Sequence, residues 1–470
     1  MSFNSFMQKR LSLMIVMLLF AVFAFISTDI VLSVKADSST KDAKQEKNNS
    51  SDDFDEFKPG KIQTKGKYKS PDGNAILIVE DTYRIIKLKG TIEEMGYNYG
   101  YMLASEIKRL FFNFVFESIK NIYPMMEKNL HKFDIDNKYM TEIKSIIKGF
   151  NDALPEKERK FQFDSEQPRL FRLNDLLIGN LLSDVFCSSF SVWGEARKDK
   201  SSLVARNLDY FVDKNSCILK SHLITVYNPD KGKKWINIGF TGFIGALTAM
   251  NEDGVCGFVH DTNEFKTSDK SKFVPRGLVF RKVIESASNQ TNPKDIEKLF
   301  DKTPSFNGNN FHLVFKAMDN DGKLKDDDKI AGILEYDGYA KHADDKATLR
   351  SPSHNKTLPE INKNAQKLDY SCAIITTNHY LKRREVKCYN DSVIRYIKMK
   401  KLITEAKKDN DVTAAEGLAI MKAVGHNATL QTVIIEPDNM QLHLYFAKEG
   451  KGAFLCDEHK FKFSELTKFE

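Results

Sequence analysis

Six cysteines in 470 residues, at 187, 217, 256, 372, 388 and 456, are too few and too scattered for a disulfide framework. No C-x-x-C pair occurs, which argues against a structural zinc site. The chain also lacks G-x-x-x-x-G-K-[ST], H-E-x-x-H and G-x-S-x-G, which removes the P-loop, the zincin helix and the serine elbow as routes to chemistry. Its ten histidines show no metal-ligand spacing, and no metal or cofactor is expected. An excess of one charge is nearly missing. Lys+Arg 71 against Asp+Glu 64 leaves +7, spread along the chain, unlike the clustered footprint of a nucleic-acid binder. No internal repeat is visible. What remains is ordinary: 41% hydrophobic and 29% charged residues, enough for a sizeable core in two or three ordinary domains or one large one.

Only one long apolar run exists. Lys9 and Arg10 precede LSLMIVMLLFAVFAFI at 11–26, and Val34-Lys35-Ala36 offers a small-residue exit. Residues 1–36 read as a secretory signal, with a retained membrane anchor as the competing reading. Both place the body outside the cytosol: secreted, periplasmic or in a lysosome-like lumen. Residues 37–70 are polar and punctuated by Gly and Pro, and read as a flexible leader. Six N-x-S/T triplets, at Asn48, Asn49, Asn289, Asn355, Asn390 and Asn427, permit glycosylation in a eukaryotic host.

The body is of the α+β class. Residues 76–90 alternate as strands. Helical periodicity runs from Thr91 to about Phe114, then over 138–153 and 170–184. Short strand-like segments follow at 187–193, 201–206, 219–227, 234–240, 243–250 and 254–260, with a hairpin turn at Asn251-Glu252-Asp253-Gly254. Helices are expected at 276–288, 293–301, 391–406 and 412–423, and strands at 311–317, 330–336, 371–377, 431–436 and 441–446. The charged stretches 319–328 and 340–368 read as loops, the first without EF-hand spacing.

The chemical signal starts at Phe186-Cys187-Ser188-Ser189-Phe190. A cysteine opens a strand after a helix, and Arg206-Asn207-Leu208-Asp209-Tyr210 closes the next strand. A hairpin of this kind can bring the sulfur of Cys187 near Arg206 and Asp209, the surroundings an activated thiol needs. Taken alone, a cysteine at a strand start is more often an inert buried residue. Arg and Asp three apart are more often a surface ion pair.

The combination resembles the cysteine N-terminal-nucleophile (Ntn) hydrolases, the group of acid ceramidase, N-acylethanolamine acid amidase, the penicillin and isopenicillin N acyltransferases and, more distantly, the bile-salt hydrolases. Several further pieces are similar, in the family's order over about 85–450: GTIEEMGYNYG, KKWINIGFTGFIGALTAMNEDGVCGFVH, Thr376-Thr377-Asn378-His379-Tyr380 followed by Asp391-Ser392 and Arg395, and Asn427-Ala428-Thr429-Leu430 with VIIEPDNMQLHLYF. The loop between Cys187 and Arg206 is a few residues longer than in most relatives, and 319–368 has no counterpart.

The resemblance implies a four-layer αββα sandwich. It also implies a precursor cut at Phe186–Cys187 into a helical α chain (71–186, behind the leader) and a catalytic β chain (187–470), which then remain partners. Cys187 would be the nucleophile, its freed α-amine the base, Asp209 the partner of that amine and Arg206 a lining group favouring thiolate. Asn378 would donate to the oxyanion, with a backbone N–H near Val259 or His260 as second donor. The implied activity is hydrolysis of a small-molecule N-acyl amide through an acyl-enzyme. The alternatives are an acyltransferase using the same acyl-enzyme, or an inactive secreted binding protein of the same fold. A membrane enters only if the N-terminal segment is retained or the substrate is a lipid. Phe240, Phe243, Ile244 and Phe258 could line an acyl pocket, although strand residues like these are more often core.

Overall fold

The computed structural model describes residues 54–115, 130–156, 186–210, 216–262, 272–301, 308–336, 347–356, 372–383 and 390–469, with isolated positions between. The signal or anchor at 1–36, the leader up to residue 53 and the helix expected at 170–184 lie outside the described residues. Among the described residues no helix is long and apolar enough to cross a membrane.

The chain opens with strands β1 (Gly66–Lys69), β2 (Ala75–Val79) and β3 (Arg84–Gly90), then helices α1 (Ile92–Met102), α2 (Ala104–Leu110) and α3 (Asn137–Ala153). A hairpin of β4 (Phe186–Val192) and β5 (Leu203–Asp209) follows, then β6 (His222–Pro229), β7 (Trp235–Phe240), β8 (Thr248–Asn251) and β9 (Cys256–Asp261). Next come α4 (Arg276–Ser286), α5 (Pro293–Asp301), β10 (Asn309–Val314), β11 (Ala331–Tyr336), β12 (Ala347–Arg350) and β13 (Ala373–Thr376). The end holds α6 (Asn390–Ala406), α7 (Ala414–Val424), β14 (Thr429–Glu436), β15 (Gln441–Phe446), β16 (His459–Lys462) and α8 (Phe463–Thr467).

Two sheets result. The large one runs β1-β2-β3-β6-β7-β8-β9-β10-β11-β12, the small one β13-β4-β5-β14-β15-β16. All pairings are antiparallel except β3–β6. Helices α1, α4 and α5 pack on the large sheet, with α3 locked against α1, and α6 and α7 pack on the small one. The sheets meet where β4 faces β9 and β13 faces β11. This is the four-layer αββα sandwich, reached from the chain's own packing.

The expected turn at Asn251–Gly254 joins β8 and β9, with Gly254 at φ +82°, a conformation that favours glycine. Several elements depart from the sequence reading, among them β16 and α8, since that reading placed no element after residue 446. Residues 66–69 belong to the sheet rather than to a flexible leader. Their K-Y-K pattern buries only Tyr68, as an edge strand requires. Strand β12 lies inside the stretch read as a loop, because Arg350 pairs with the buried Glu335 of β11. The helix from Thr91 breaks at Leu103. One glycosylation triplet is closed in the fold: Asn355 is buried, and its side-chain amide donates to Ala373 O at 2.8 Å.

Helix α1 starts with a capping box. Thr91 accepts from Glu94 N–H, and the Glu94 carboxylate accepts from Thr91 N–H. Its glycines let it touch α3 backbone to backbone. A Cβ on Gly100 would lie 1.9 Å from Ile146 O, and one on Gly149 would lie 1.9 Å from Tyr97 O. Gly417 in α7 is different, since its added Cβ would meet only Leu203 and Ile434 side chains at 3.5 Å or more. Gly100→Ala is therefore expected to lower stability by about 3 kcal/mol. Gly417→Ala is expected to raise it by about 0.5–1 kcal/mol. Urea unfolding of the two variants beside the wild type checks both signs.

Candidate active site

Strand β4 is buried on both faces after Phe186, and its side chains alternate between them. Cys187, Ser189 and Ser191 point to the large sheet. The sulfur of Cys187 lies 3.6 Å from Val259 O, and Ser189 and Ser191 reach His260 and His312. Ser188 points the other way and accepts from Arg395 Nη1 of α6 at 2.6 Å. Phe186 is 38% exposed while Cys187 is wholly buried.

The hairpin register sets Ser189 opposite Arg206 and Cys187 opposite Leu208. Arg206 thus faces the large sheet beside the sulfur. Its Nη2 donates to Cys187 Sγ at 3.0 Å and to Val259 O at 2.9 Å. Its Nη1 donates to Thr248 Oγ1 and Leu247 O, and its guanidinium lies over the Phe258 ring. Phe258 and Ile244 are fully buried core residues, Phe240 nearly so, and Phe243 is partly buried.

Asp209 does not join Arg206. Three residues along a strand reverse the face, so Asp209 points with Asn207 toward the helix layer. Its Oδ1 accepts from Thr429 Oγ1 at 2.6 Å, and its Oδ2 lies 3.5 Å from His426 Nε2. Its cross-strand partner is Phe186, which sets the carboxylate beside the Phe186–Cys187 junction rather than beside the sulfur.

Asn378 follows β13, which pairs with β4 on its other edge. Its Oδ1 accepts the Cys187 N–H at 3.0 Å and Arg395 Nη2 at 2.9 Å. Its Nδ2 donates to Asp261 O at 2.6 Å. The amide is therefore turned opposite to the expected oxyanion donor, because two donors surround its oxygen and a carbonyl faces its nitrogen. Of the two backbone donors expected, at Val259 or His260, the first is occupied. Val259 N–H is engaged by Leu247 O at 3.0 Å, and Val259 offers the site its carbonyl.

Arg395, to which sequence reasoning gave no role, ties these groups together. Its Nη1 donates to Cys187 O at 2.8 Å and its Nε to Asp391 Oδ2 at 2.8 Å. Ser392 Oγ accepts from Asn378 N–H at 2.8 Å and lies 2.7 Å from His379 Nδ1. The signal was the helical spacing: positions 391, 392 and 395 share one face of α6. His379 serves this turn, with Nδ1 on the Thr377 and Ser392 hydroxyls and its ring against Tyr396. Glu335 fixes the next segment by accepting from the N–H groups of Leu381, Lys382 and Arg383.

Burial pushes the Cys187 thiol up. Arg206 is the largest opposing influence and does not overcome it, while Asp209 adds to the rise. The thiol of the continuous chain is thus held protonated. Behind it, the Ser189 hydroxyl lies between His260 Nε2 at 2.8 Å and His312 Nδ1 at 2.6 Å. Burial lowers His312, His379 and His222 to about 3, and holds His260 well below the usual imidazole range. Among the described residues no cluster of His, Cys, Asp and Glu is arranged to hold a metal ion.

No family model and no curated protein matches the chain. Solved structures do match in part. A Caenorhabditis elegans N-acylethanolamine-hydrolyzing acid amidase ortholog is 12% identical over 54% of this chain and 93% of that one, at a TM-score of 0.37. A mutant of conjugated bile acid hydrolase from Clostridium perfringens is 13% identical over 60% and 95%, at 0.36. Penicillin V acylase from Agrobacterium tumefaciens is 12% identical over 60% and 87%, at 0.37. All three belong to the group that the sequence motifs resemble.

The buried neutral histidines have a consequence for stability. The unfolded chain takes up protons near the ordinary imidazole value of 6.5, whereas folded His312 does so only near 3. Below about pH 6.5 the unfolded state binds more protons, so stability falls as the pH falls. His312→Gln is expected to flatten this loss between pH 6 and 4 by about 1.4 kcal/mol per pH unit. Urea unfolding at a series of pH values measures that slope.

Proposed function

We propose that this chain is a cysteine Ntn amidohydrolase that activates itself by cutting Phe186–Cys187 and then hydrolyses a small-molecule N-acyl amide. The observation that carries the reading is the grip on Cys187. Arg206 Nη2 lies 3.0 Å from its sulfur, Asn378 holds its N–H, and Arg395 holds its C=O. Beside this grip, Phe186 is 38% exposed.

In the first step the Cys187 sulfur attacks the Phe186 carbonyl carbon. The C–N bond breaks, a thioester forms between Phe186 and Sγ, and the nitrogen leaves as an amine after taking a proton. Water then hydrolyses the thioester, leaving the Phe186 carboxylate and a free thiol. The new α-amine has a reference pKa near ~8 and sits on the same residue as the thiol, so it can take the thiol proton at near-neutral pH. Asn378 Oδ1, which holds this nitrogen in the continuous chain, is placed to keep it oriented. Asp209, across the hairpin from Phe186, would pair with its charged form. A substrate amide would be attacked by the same sulfur and would release its amine, and water would then free the acyl group.

The burial of Cys187 suits a latent precursor, and the same fact suits an inactive binding protein. Denaturing electrophoresis with N-terminal sequencing separates them. The wild type is expected to give two chains, the larger starting at Cys187, and Cys187→Ala a single chain. A wild type that stays whole after prolonged incubation across pH 4–8 would overturn the enzyme reading. Against a panel of N-acyl amides, Cys187→Ala is expected to be inactive. Asn378→Ala in the cut protein should turn over about 100-fold more slowly through loss of nucleophile orientation. Arg206→Lys should lose at least tenfold, because a lysine cannot span Sγ, Val259 O and Thr248 together.

A further inference from the structure

The sequence His426-Asn427-Ala428-Thr429 forms a tight turn before β14, in which Thr429 N–H donates to His426 O at 2.8 Å and His426 N–H to Thr429 Oγ1 at 3.1 Å. This turn delivers two side chains to one carboxylate. Thr429 Oγ1 donates to Asp209 Oδ1, and His426 Nε2 faces Asp209 Oδ2 at 3.5 Å. Asp209 is fully buried, whereas the imidazole side chain is 48% exposed. The tautomer is set by the backbone: Ala428 N–H donates to His426 Nδ1 at 3.2 Å, so the neutral ring carries its hydrogen on Nε2. Neutral or protonated, the ring presents Nε2–H to the carboxylate.

A buried carboxylate oxygen costs free energy until it is satisfied. Among the described residues Oδ2 is addressed only at 3.5 Å, by a half-exposed side chain. That is a weak and exchangeable contact, on the carboxylate that lies across the strand from Phe186. We propose that His426 is a positioning residue which shares Asp209 with the Cys187 nitrogen, and so sets how strongly that carboxylate holds the ammonium form of the nucleophile's own base.

The inference rests on the functional reading above and adds a residue that reading does not use. The charged groups around the pair are few. Asp391 and Arg395 of α6 act on His426 in opposite senses. Asp209 beside it is the main influence and raises the imidazole above its ordinary value, against its burial. The Cys187 nitrogen is faced by Asn378 and, on the same side, Arg395, with Arg206 and His260 on the other face of β4. With the imidazole in place, Asp209 divides its charge between ring and amine, and the amine gives up its proton at a lower pH. With the imidazole removed, the carboxylate acts on the ammonium alone.

The test uses the cut wild type, His426→Ala and His426→Gln, with the rate of Cys187 alkylation by iodoacetamide followed against pH by mass spectrometry. This probe needs no knowledge of the substrate. His426→Ala is expected to move the acid limb to higher pH by about half a unit or more. His426→Gln, whose amide can still donate to Oδ2, is expected to return it toward the wild type. A merely structural role would lower folding yield or the plateau rate and leave the limb in place. If His426→Ala does not accumulate, His426→Leu against His426→Gln makes the same comparison. Superimposed limbs, or equal shifts in the apolar and Gln variants, would overturn the proposal while leaving the enzyme reading intact. A wild type that never cuts would overturn both.

Discussion

Strand β4 is buried on both faces, so every polar group near its start has to find a partner inside the protein. That constraint organises the site. The sulfur of Cys187 is met by Arg206, the backbone nitrogen by Asn378, the backbone oxygen by Arg395 and the Ser188 hydroxyl by Arg395 again. Each partner is itself buried and needs its own. Arg206 draws in Val259 O and Thr248, Arg395 draws in Asp391, and Asn378 draws in Asp261 O and Ser392. A half-satisfied network would cost more than an apolar core. Strand β4 therefore specifies segments as distant as α6 and the loop after β13.

The same burial has an electrostatic price. It raises the thiol that Arg206 would otherwise favour as thiolate, and it keeps four histidines neutral. A continuous chain with a protonated, enclosed thiol is chemically quiet. On the proposed reading this is the right state for a precursor. The α-amine that would serve as base for turnover does not exist until the chain has been cut, so on this reading the first, intramolecular attack proceeds without it and only the later turnover uses it. Buried neutral histidines also disfavour strongly acidic conditions. An acidic compartment would draw on a stability reserve that the fold has to supply elsewhere, as in the interlocked backbones of α1 and α3.

Much of this was legible in the sequence, for identifiable reasons. The β4–β5 hairpin, the turn at 251–254 and most helices follow local periodicity and turn chemistry, which neighbouring residues carry. The grouping of Cys187 with Arg206 follows from hairpin register. The even-odd rule that buries Arg206 beside the sulfur also sends Asp209 to the other face, a consequence readable from their spacing of three. The edge strands β1 and β12 were illegible because their partners, not their own patterns, make them strands. The direction of the Asn378 amide was illegible for a similar reason: Asp261 O and Arg395 Nη2, which fix it, come from 117 residues before and 17 residues after.

Separating Arg206 from Asp209 across the strand also separates two tasks. A guanidinium and a carboxylate on one face would neutralise each other at the sulfur, leaving little net field for either thiolate or amine. Set on opposite faces, Arg206 donates to Sγ, while Asp209, across from Phe186, is held by Thr429 and His426 and opposes Arg206 at the thiol only as a smaller influence. On the proposed reading this division matters at Cys187, whose main-chain nitrogen would become a titrating group once Phe186–Cys187 is cut. Main-chain atoms of a strand point along the sheet rather than through it, so a carboxylate on the helix face can approach that nitrogen without crossing the strand. On the proposed reading, the helix layer, through the turn at 426–429 and the face of α6, would govern the base, while the large sheet would govern the nucleophile.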